Sequence, residues 1–140
     1  MVHNRAIIFG TWDLFHVGHL RAIVKARRSL LNGELVVGVE ADALASLGKG
    51  EKPVICEAQR LEIVSAVKAV DKAFIYQTHE YMWFIRKHEA NCLVWCRDNC
   101  HEERHAELLR DAAGAGVTII YIDRCPDIST TAIRERIRDR

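Results

Sequence analysis

The chain has 140 residues, a length typical of one compact domain that can bury its own hydrophobic core. Its 20 Lys and Arg nearly balance 19 Asp and Glu, so the net charge of +1 argues against nonspecific coating of nucleic acid or of an anionic membrane. Apolar runs are far shorter than the roughly 20 residues of a transmembrane helix, and no signal-peptide pattern is evident. Five cysteines, an odd number, favour free thiols and hence a cytoplasmic protein. Together with the length, this predicts one cytoplasmic domain over residues 1–140.

Short apolar segments alternate with longer helical patterns along the chain. The predicted strands are Ala6–Phe9, Leu35–Glu40, Ala73–Tyr76, Cys92–Trp95 and Val117–Ile122. The predicted helices are His19–Leu31, Glu57–Val70, Glu80–Glu89, Glu103–Ala113 and Ser129–Arg138. Continuous apolar strands separated by helices predict a Rossmann-like three-layer α/β/α sandwich with a five-stranded parallel sheet. The segment Asp42–Ile55 lacks a regular pattern, and we expect it to form a mobile loop.

The first chemically informative segment is GTWDLFHVGH, which runs from Gly10 to His19 directly after a predicted strand. Ligands of parallel α/β sheets bind at the carboxyl ends of the strands, where a helix N-terminus offers backbone N–H groups to an anion. Two histidines, His16 and His19, with Gly18 between them can donate to phosphate oxygens and stabilise charge on a departing pyrophosphate. The alternative is that both histidines are ordinary residues at a helix start.

A second segment, Asp127 to Arg134, follows the last predicted strand and reads DISTTAIR. Serine and threonine at a helix start commonly cap the helix, which is the simpler interpretation. Their hydroxyls and the first backbone N–H groups can equally hold the outer phosphates of a nucleotide. Arg124, just before this segment, adds a fixed positive charge.

The two segments together, GTWDLFHVGH and the distant ISTTAIRERI, resemble those of the cytidylyltransferase-like nucleotidyltransferases, most closely the small glycerol-3-phosphate cytidylyltransferases. The resemblance implies transfer of a nucleoside monophosphate, CMP from CTP, to a small phosphorylated acceptor such as glycerol 3-phosphate, with release of pyrophosphate. It implies Mg²⁺ bound with the triphosphate and no metal site of the protein's own. It also implies a homodimer, and no nucleic-acid or membrane partner.

The resemblance also assigns roles to individual residues. The implied catalytic residues are His16, His19, Lys49 and Arg124. The implied nucleotide-binding residues are Phe9, Gly10, Thr11, Trp12, Asp13, Gly18, Asp98, Ile128, Ser129, Thr130 and Thr131. The implied acceptor-binding residues are Asp13, Lys52 and Arg60. Without the resemblance, the two lysines would be interpreted as solvated loop residues and Arg60 as part of an exposed helix face.

Two segments depart from the family pattern. Cys96 and Arg97 stand where relatives have a glycine-containing segment near the nucleoside, and Asp127 brings a negative charge beside the predicted phosphate-binding helix. The base and the acceptor therefore stay open. One alternative is an adenylyltransferase that uses ATP on a sugar phosphate, FMN or pantetheine phosphate. Another is a non-catalytic module that binds a nucleotide or a metal.

Three further patterns allow two interpretations each. Cys96, Cys100, His101 and His105 could converge on a structural metal, but their spacing is unlike that of a zinc site and free thiols are the simpler interpretation. The aromatic residues Tyr81, Trp83 and Phe84 either pack a helix against the sheet or cover a dimer surface. The arginines Arg134, Arg136, Arg138 and Arg140 are interpreted as cations that complement a helix C-terminus, rather than as a nucleic-acid site.

Overall fold

The structure is a computed structural model that describes residues 4–97 and 103–140, with only the backbone described at Lys49. Its elements, in chain order, are β1 (Arg5–Gly10), α1 (Val17–Arg28), β2 (Glu34–Glu40), α2 (Asp42–Lys49), α3 (Glu57–Ser65), β3 (Lys72–Tyr76), α4 (Tyr81–Lys87), β4 (Cys92–Cys96), α5 (Glu103–Gly114), β5 (Thr118–Ile122) and α6 (Thr130–Arg138). The strands form one parallel sheet in the order β3-β2-β1-β4-β5. The predicted Rossmann-like α/β fold is therefore confirmed.

The prediction of a mobile loop over Asp42–Ile55 is wrong for its first half, because residues 42–49 form α2. Leu44 packs in the core with residues of the sheet and Ala45 is also buried, which stabilises a segment too short to show a clear period. Gly50 ends the helix in the left-handed region at φ 72°, and its N–H donates to the carbonyl of Ser46.

The predicted helix Glu57–Val70 is also too long, since α3 ends at Ser65. Beyond it the backbone hydrogen bonds join residues three apart, as in tight turns. The N–H of Val67 donates to the carbonyl of Val64, and the N–H of Val70 donates to the carbonyl of Val67. Val67 and Val70 still pack against the core, which explains why the hydrophobic period continues past the end of the helix.

Side chains alternate between the two faces of the sheet and build two cores. Along β1, Ile8 packs in a core with residues of α1 and α3, whereas Ile7 packs in a core with residues of α2, α4 and α5. Tyr81 and Phe84 of α4 belong to this second core, so the packing role predicted for them is confirmed, while Trp83 is 53% exposed. In the described ranges, 4–97 and 103–140, no helix is long and apolar enough to cross a membrane.

The strand order explains where a ligand can bind. The chain starts at the central strand β1, builds β2 and β3 toward one edge, and then returns to place β4 on the other side of β1. Segments that follow β1 and β4 therefore diverge to opposite faces, which opens a crevice at their carboxyl ends.

Candidate active site

A cavity of about 720 Å³ lies at the carboxyl ends of the strands, a volume within the usual range for small-molecule sites. It collects residues from both ends of the chain, as the two motifs predict. The predicted site residues that line it are Phe9, Gly10, Thr11, Trp12, Asp13, His16, Gly18, His19, Arg124, Ile128, Ser129, Thr130 and Thr131.

The histidine pair is held in place by the start of α1. The imidazole rings of His16 and His19 stack with their centroids 3.8 Å apart. Nδ1 of His16 accepts from the backbone N–H of Gly18 at 3.0 Å, and Nδ1 of His19 accepts from the backbone N–H of His16 at 3.2 Å. Because each Nδ1 is an acceptor, the proton of each neutral ring lies on Nε2. Burial lowers the pKa of His16 below its ordinary value, which favours this neutral, donating form.

Gly18 is required by the position of the His16 ring. A Cβ atom at this residue would lie 2.8 Å from Cε1 of His16 and 3.3 Å from Cγ2 of Ile128. Any larger residue would push the His16 ring away from its backbone partner. The glycine in the motif therefore serves the histidine as well as the approach of a ligand.

The N-terminus of α6 meets the histidine pair across the cavity. The hydroxyl of Ser129 caps the helix by accepting from the backbone N–H of Ala132 at 3.0 Å. Oγ1 of Thr130 lies 3.2 Å from the carbonyl oxygen of Asp13 and 3.4 Å from Nε2 of His16. The first N–H groups of a helix lack intrahelical partners, so this corner combines hydroxyl, imidazole and amide donors suited to an anion.

Asp13 is a buried junction between three segments. Its side chain is 4% exposed and accepts from the backbone N–H groups of Val54 and Ile55 and from the guanidinium of Arg134 at 2.7 to 2.9 Å. Burial by itself would raise the pKa of Asp13, but these hydrogen bonds outweigh it and hold the pKa below its ordinary value. Asp13 is thus ionised and tied to protein donors, although it was predicted to contact nucleotide and acceptor.

Arg60 is buried rather than exposed, so the interpretation as part of a solvated helix face is wrong. Its side chain is 0% exposed and donates to the carbonyls of Ile55, Thr11 and Glu40 and to Asp42 at 2.6 to 2.8 Å. Thr11 follows β1, Glu40 and Asp42 lie at the junction of β2 and α2, and Ile55 precedes α3. In this structure the guanidinium joins the segments beneath the cavity and is not part of the cavity wall, which leaves its implied contact with an acceptor as a prediction.

Trp12 is anchored in the first core. It is 6% exposed, and its Nε1 donates to the carbonyl of Gly38 at 2.9 Å. Gly10 makes this possible, because a Cβ atom there would lie 2.7 Å from Cε2 of Trp12. The indole therefore pins the loop after β1 to β2.

The departures from the family pattern lie at the edge of the cavity. Asp127 does not line the cavity, and its side chain is 80% exposed and lies 3.8 Å from Arg21, so its charge is solvated and partly balanced. Cys96 and Cys125 both line the cavity. A hydrogen bond from the backbone N–H of Asp127, followed by one from Arg21, lowers the pKa of the Cys125 thiol. Arg97 pairs with Asp123 at 3.1 Å.

The remaining predicted residues either do not line the cavity or lie outside the described residues. Lys52 is exposed and does not line the cavity, whereas its neighbours Glu51 and Pro53 do. The side chain of Lys49 and the residues Asp98, Cys100 and His101 lie outside the described residues. Within the described part of the chain, no three His, Cys, Asp or Glu side chains are arranged to hold a metal ion.

Sequence reasoning overlooked a polar chain on the other side of the cavity. Arg104 lies 2.9 Å from Nδ1 of His79, whose Nε2 lies 3.3 Å from Glu40, and Glu40 accepts from the Thr11 hydroxyl at 3.0 Å. Because a guanidinium can only donate, Nδ1 of His79 accepts and its Nε2 donates to Glu40. Glu40 ends β2 and His79 follows β3, so their places at the carboxyl ends of strands were an available signal, whereas no sequence pattern pointed to Arg104.

Arg134 was also missed, because it was grouped with the arginines at the end of the chain. It lines the cavity and pairs with Asp13, four residues after Thr130 on α6. That spacing places Arg134 and Thr130 on the same side of the helix, so a helical projection could have found it. The interpretation as a simple C-terminal cation is wrong for this residue.

The fold and this site place the chain in a known group. A sequence model of the cytidylyltransferase-like family matches residues 7–136. The chain therefore belongs to the cytidylyltransferase-like family, and it is a nucleotidyltransferase, as the paired motifs predict.

Particular relatives refine this picture. The chain is 30% identical over 138 residues to an FAD synthase of Archaeoglobus profundus, covering 96% of this chain and 86% of that protein. It is 31% identical to an FAD synthase of Methanopyrus kandleri, covering 96% of this chain and 91% of that protein. It is also 33% identical over 132 residues to the bifunctional protein HldE of Nitrobacter hamburgensis, of which it spans only 26%.

A solved structure supports the same fold. The lipopolysaccharide core biosynthesis protein from Thermoplasma volcanium superposes with a TM-score of 0.71 at 25% identity. The match covers 87% of this chain and 96% of that one.

Proposed function

We propose that the protein transfers AMP from ATP to the phosphate of FMN, giving FAD and pyrophosphate. The observation that carries this choice is the similarity to two FAD synthases over 96% of this chain and 86% and 91% of their own lengths. FAD consists of FMN joined to AMP through two linked phosphates, so its synthesis from FMN is an adenylyl transfer. The expectation of CTP and glycerol 3-phosphate stays a prediction and is a separate arm of the test below.

In the proposed reaction, the triphosphate lies between the histidine pair and the N-terminus of α6. Nε2 of His16 and of His19 donates toward phosphate oxygens, because both Nδ1 atoms already accept from the backbone. The first-turn N–H groups of α6, the Thr130 hydroxyl and the Arg124 guanidinium bind the outer phosphates. These donors stabilise the negative charge that grows on the bridging oxygen as pyrophosphate departs.

An oxygen of the acceptor phosphate attacks the α-phosphorus and forms the new P–O bond. The bond between that phosphorus and the bridging oxygen breaks, and its electron pair leaves with pyrophosphate. A phosphate anion is already nucleophilic, so no side chain needs to remove a proton. The protein therefore acts by positioning the two phosphates and stabilising charge.

Magnesium is the metal implied for this reaction. Mg²⁺ takes oxygen ligands, usually from phosphates, water and one or two carboxylates. Carboxylates that line the cavity among the described residues belong to Asp13, Glu40, Glu51 and Asp123. Asp13 and Glu40 already accept from protein donors and Asp123 pairs with Arg97, so among the described carboxylates of the cavity Glu51 would hold the ion, together with the oxygens of the triphosphate. This donor set suits Mg²⁺, which would neutralise charge on the leaving group.

The test is a matrix of four nucleoside triphosphates against FMN, glycerol 3-phosphate and a sugar phosphate, with Mg²⁺. Pyrophosphate release is followed and products are separated by chromatography. We expect FAD and pyrophosphate with ATP and FMN. Turnover of CTP with glycerol 3-phosphate, and none of ATP with FMN, would reject the proposal in favour of a cytidylyltransferase. Light scattering after size exclusion tests the expected homodimer.

A further inference from the structure

The half of the cavity opposite the histidine pair has aromatic walls. Phe9, Tyr76, Tyr81 and Trp95 all line the cavity, and we call this group the aromatic pocket. The ring of Phe9 lies 4.9 Å from that of Tyr81 and 5.3 Å from that of Tyr76, and Tyr81 lies 6.2 Å from Trp95. All these contacts join rings edge-on or nearly so, which is typical of tightly packed aromatic walls.

The aromatic pocket lies on the other face of the sheet from the first helix. Tyr76, Tyr81 and Trp95 belong to the core that contains α4 and α5, and Phe9 packs against it, whereas α1 contributes to the other core. The cavity reaches both faces because it lies where β1 and β4 separate. A nucleotide held by α1 and α6 therefore leaves this second half for the acceptor.

Trp95 carries an N–H donor that has no acceptor among the described residues. Its side chain is 5% exposed, and its Nε1 has no hydrogen-bond partner among the described residues. Trp12 provides an internal comparison, because it is 6% exposed and its Nε1 donates to the carbonyl of Gly38 at 2.9 Å. Buried indole N–H groups normally have a partner, so an unpaired one on a residue that lines a cavity is a candidate donor to a ligand.

We propose that the aromatic pocket is the acceptor subsite, that it takes a planar aromatic ring system, and that Trp95 Nε1 donates to a carbonyl or ring nitrogen on the edge of that ring. This inference rests on the proposed transfer to a phosphorylated acceptor, and it names the side chains that would select that acceptor. A polyol phosphate would set its hydroxyls against the faces of Phe9 and Tyr81, where they would lose hydrogen bonds to water. A flat ring keeps its faces on apolar surface and satisfies Trp95 with its edge.

The test measures binding without turnover. FMN is titrated with protein, and quenching of flavin fluorescence gives the dissociation constant for the wild type and for Trp95→Phe. This substitution keeps an aromatic ring and removes the N–H. We expect FMN to bind about tenfold more weakly, the scale of one lost hydrogen bond in a buried site, while ATP affinity stays unchanged. Equal FMN affinity in both proteins would overturn the proposal.

Trp83→Phe is the matched control. Trp83 is 53% exposed on α4 and does not line this cavity, so the same chemical change there is expected to leave FMN affinity unaltered. Equal weakening by both substitutions would mean that Trp95 has no specific role. Thermal melting of both variants reports whether each one folds.

A competition experiment on the wild-type protein keeps the inference testable if Trp95→Phe does not fold. Riboflavin has the ring without the phosphate, and glycerol 3-phosphate has the phosphate without the ring. Displacement of bound FMN by riboflavin supports the aromatic pocket as the ring subsite, whereas displacement by glycerol 3-phosphate alone overturns it. Because these readouts need no chemistry, FMN binding that depends on Trp95 without FAD formation would reject only the proposed reaction. FAD formation at equal kcat/KM in wild type and Trp95→Phe would reject only the subsite.

Discussion

The Arg60→Lys variant distinguishes two roles for Arg60, either holding the segments of the site in place or binding the acceptor directly. Arg60 is fully buried and donates four hydrogen bonds, three of them to backbone carbonyls that come from different segments. Lysine keeps the charge but presents one compact ammonium, which cannot span acceptors placed around a planar fork. We expect at least one buried carbonyl to lose its donor and the Asp42 contact to weaken, at a cost of about 3 kcal/mol.

That cost translates into a measurable shift of the melting temperature. An unfolding entropy of about 2.1 cal/mol/K per residue gives roughly 0.3 kcal/mol/K for 140 residues, so 3 kcal/mol lowers Tm by about 10 °C. Thermal unfolding followed by circular dichroism measures it. Arg136→Lys is the control, because Arg136 is exposed on α6, and its Tm should stay within about 2 °C of wild type. A wild-type Tm for Arg60→Lys, together with a raised KM for the acceptor alone, would refute this reasoning and favour direct acceptor binding.

Two further substitutions test the histidine pair and the buried carboxylate. His16→Ala removes one preorganised donor, so kcat should fall by about 10²–10³ in a pyrophosphate-release assay, and turnover near that of wild type would contradict the assigned role. Asp13→Asn removes the charge that pairs with Arg134 and should lower Tm at neutral pH. Since the pKa of Asp13 is depressed on folding, its stabilisation is present above the unfolded value near 3.9 and is lost as pH falls further. The Tm difference from wild type should therefore shrink below about pH 4, and a gap independent of pH would contradict the ionised state.

Much of the fold is encoded locally in the sequence. Hydrophobic period and β-branched runs mark each strand within a few residues and all the helices except α2, and their alternation implies a parallel sheet. The prediction of the helices failed where tertiary contacts determine whether a helix forms or where it ends. The segment 42–49 becomes α2 because Leu44 packs into the core beside the sheet, and α3 ends early because the chain must turn toward β3.

The candidate site divides in the same way. The histidine pair could be predicted because Gly18, His16 and His19 interact within one helical turn. Asp13 and Arg134 meet across 121 positions of chain, and no local pattern links them. That contact exists only because β1 and β5 lie in one sheet and bring the segments that follow them to the same edge.

The sequence by itself predicted the class of enzyme and the groups that are proposed to bind the triphosphate, since both predictions depend on short motifs at helix starts. Tertiary structure decided what surrounds them. It buried Arg60 beneath the cavity rather than on its surface, and it gathered Phe9, Tyr81 and Trp95 from three separate elements into one wall. The physical reason is that the burial of a side chain, and the face of the sheet on which it lies, depend on how the layers pack. Strand order and register set that packing, and they exist only once the whole chain has folded.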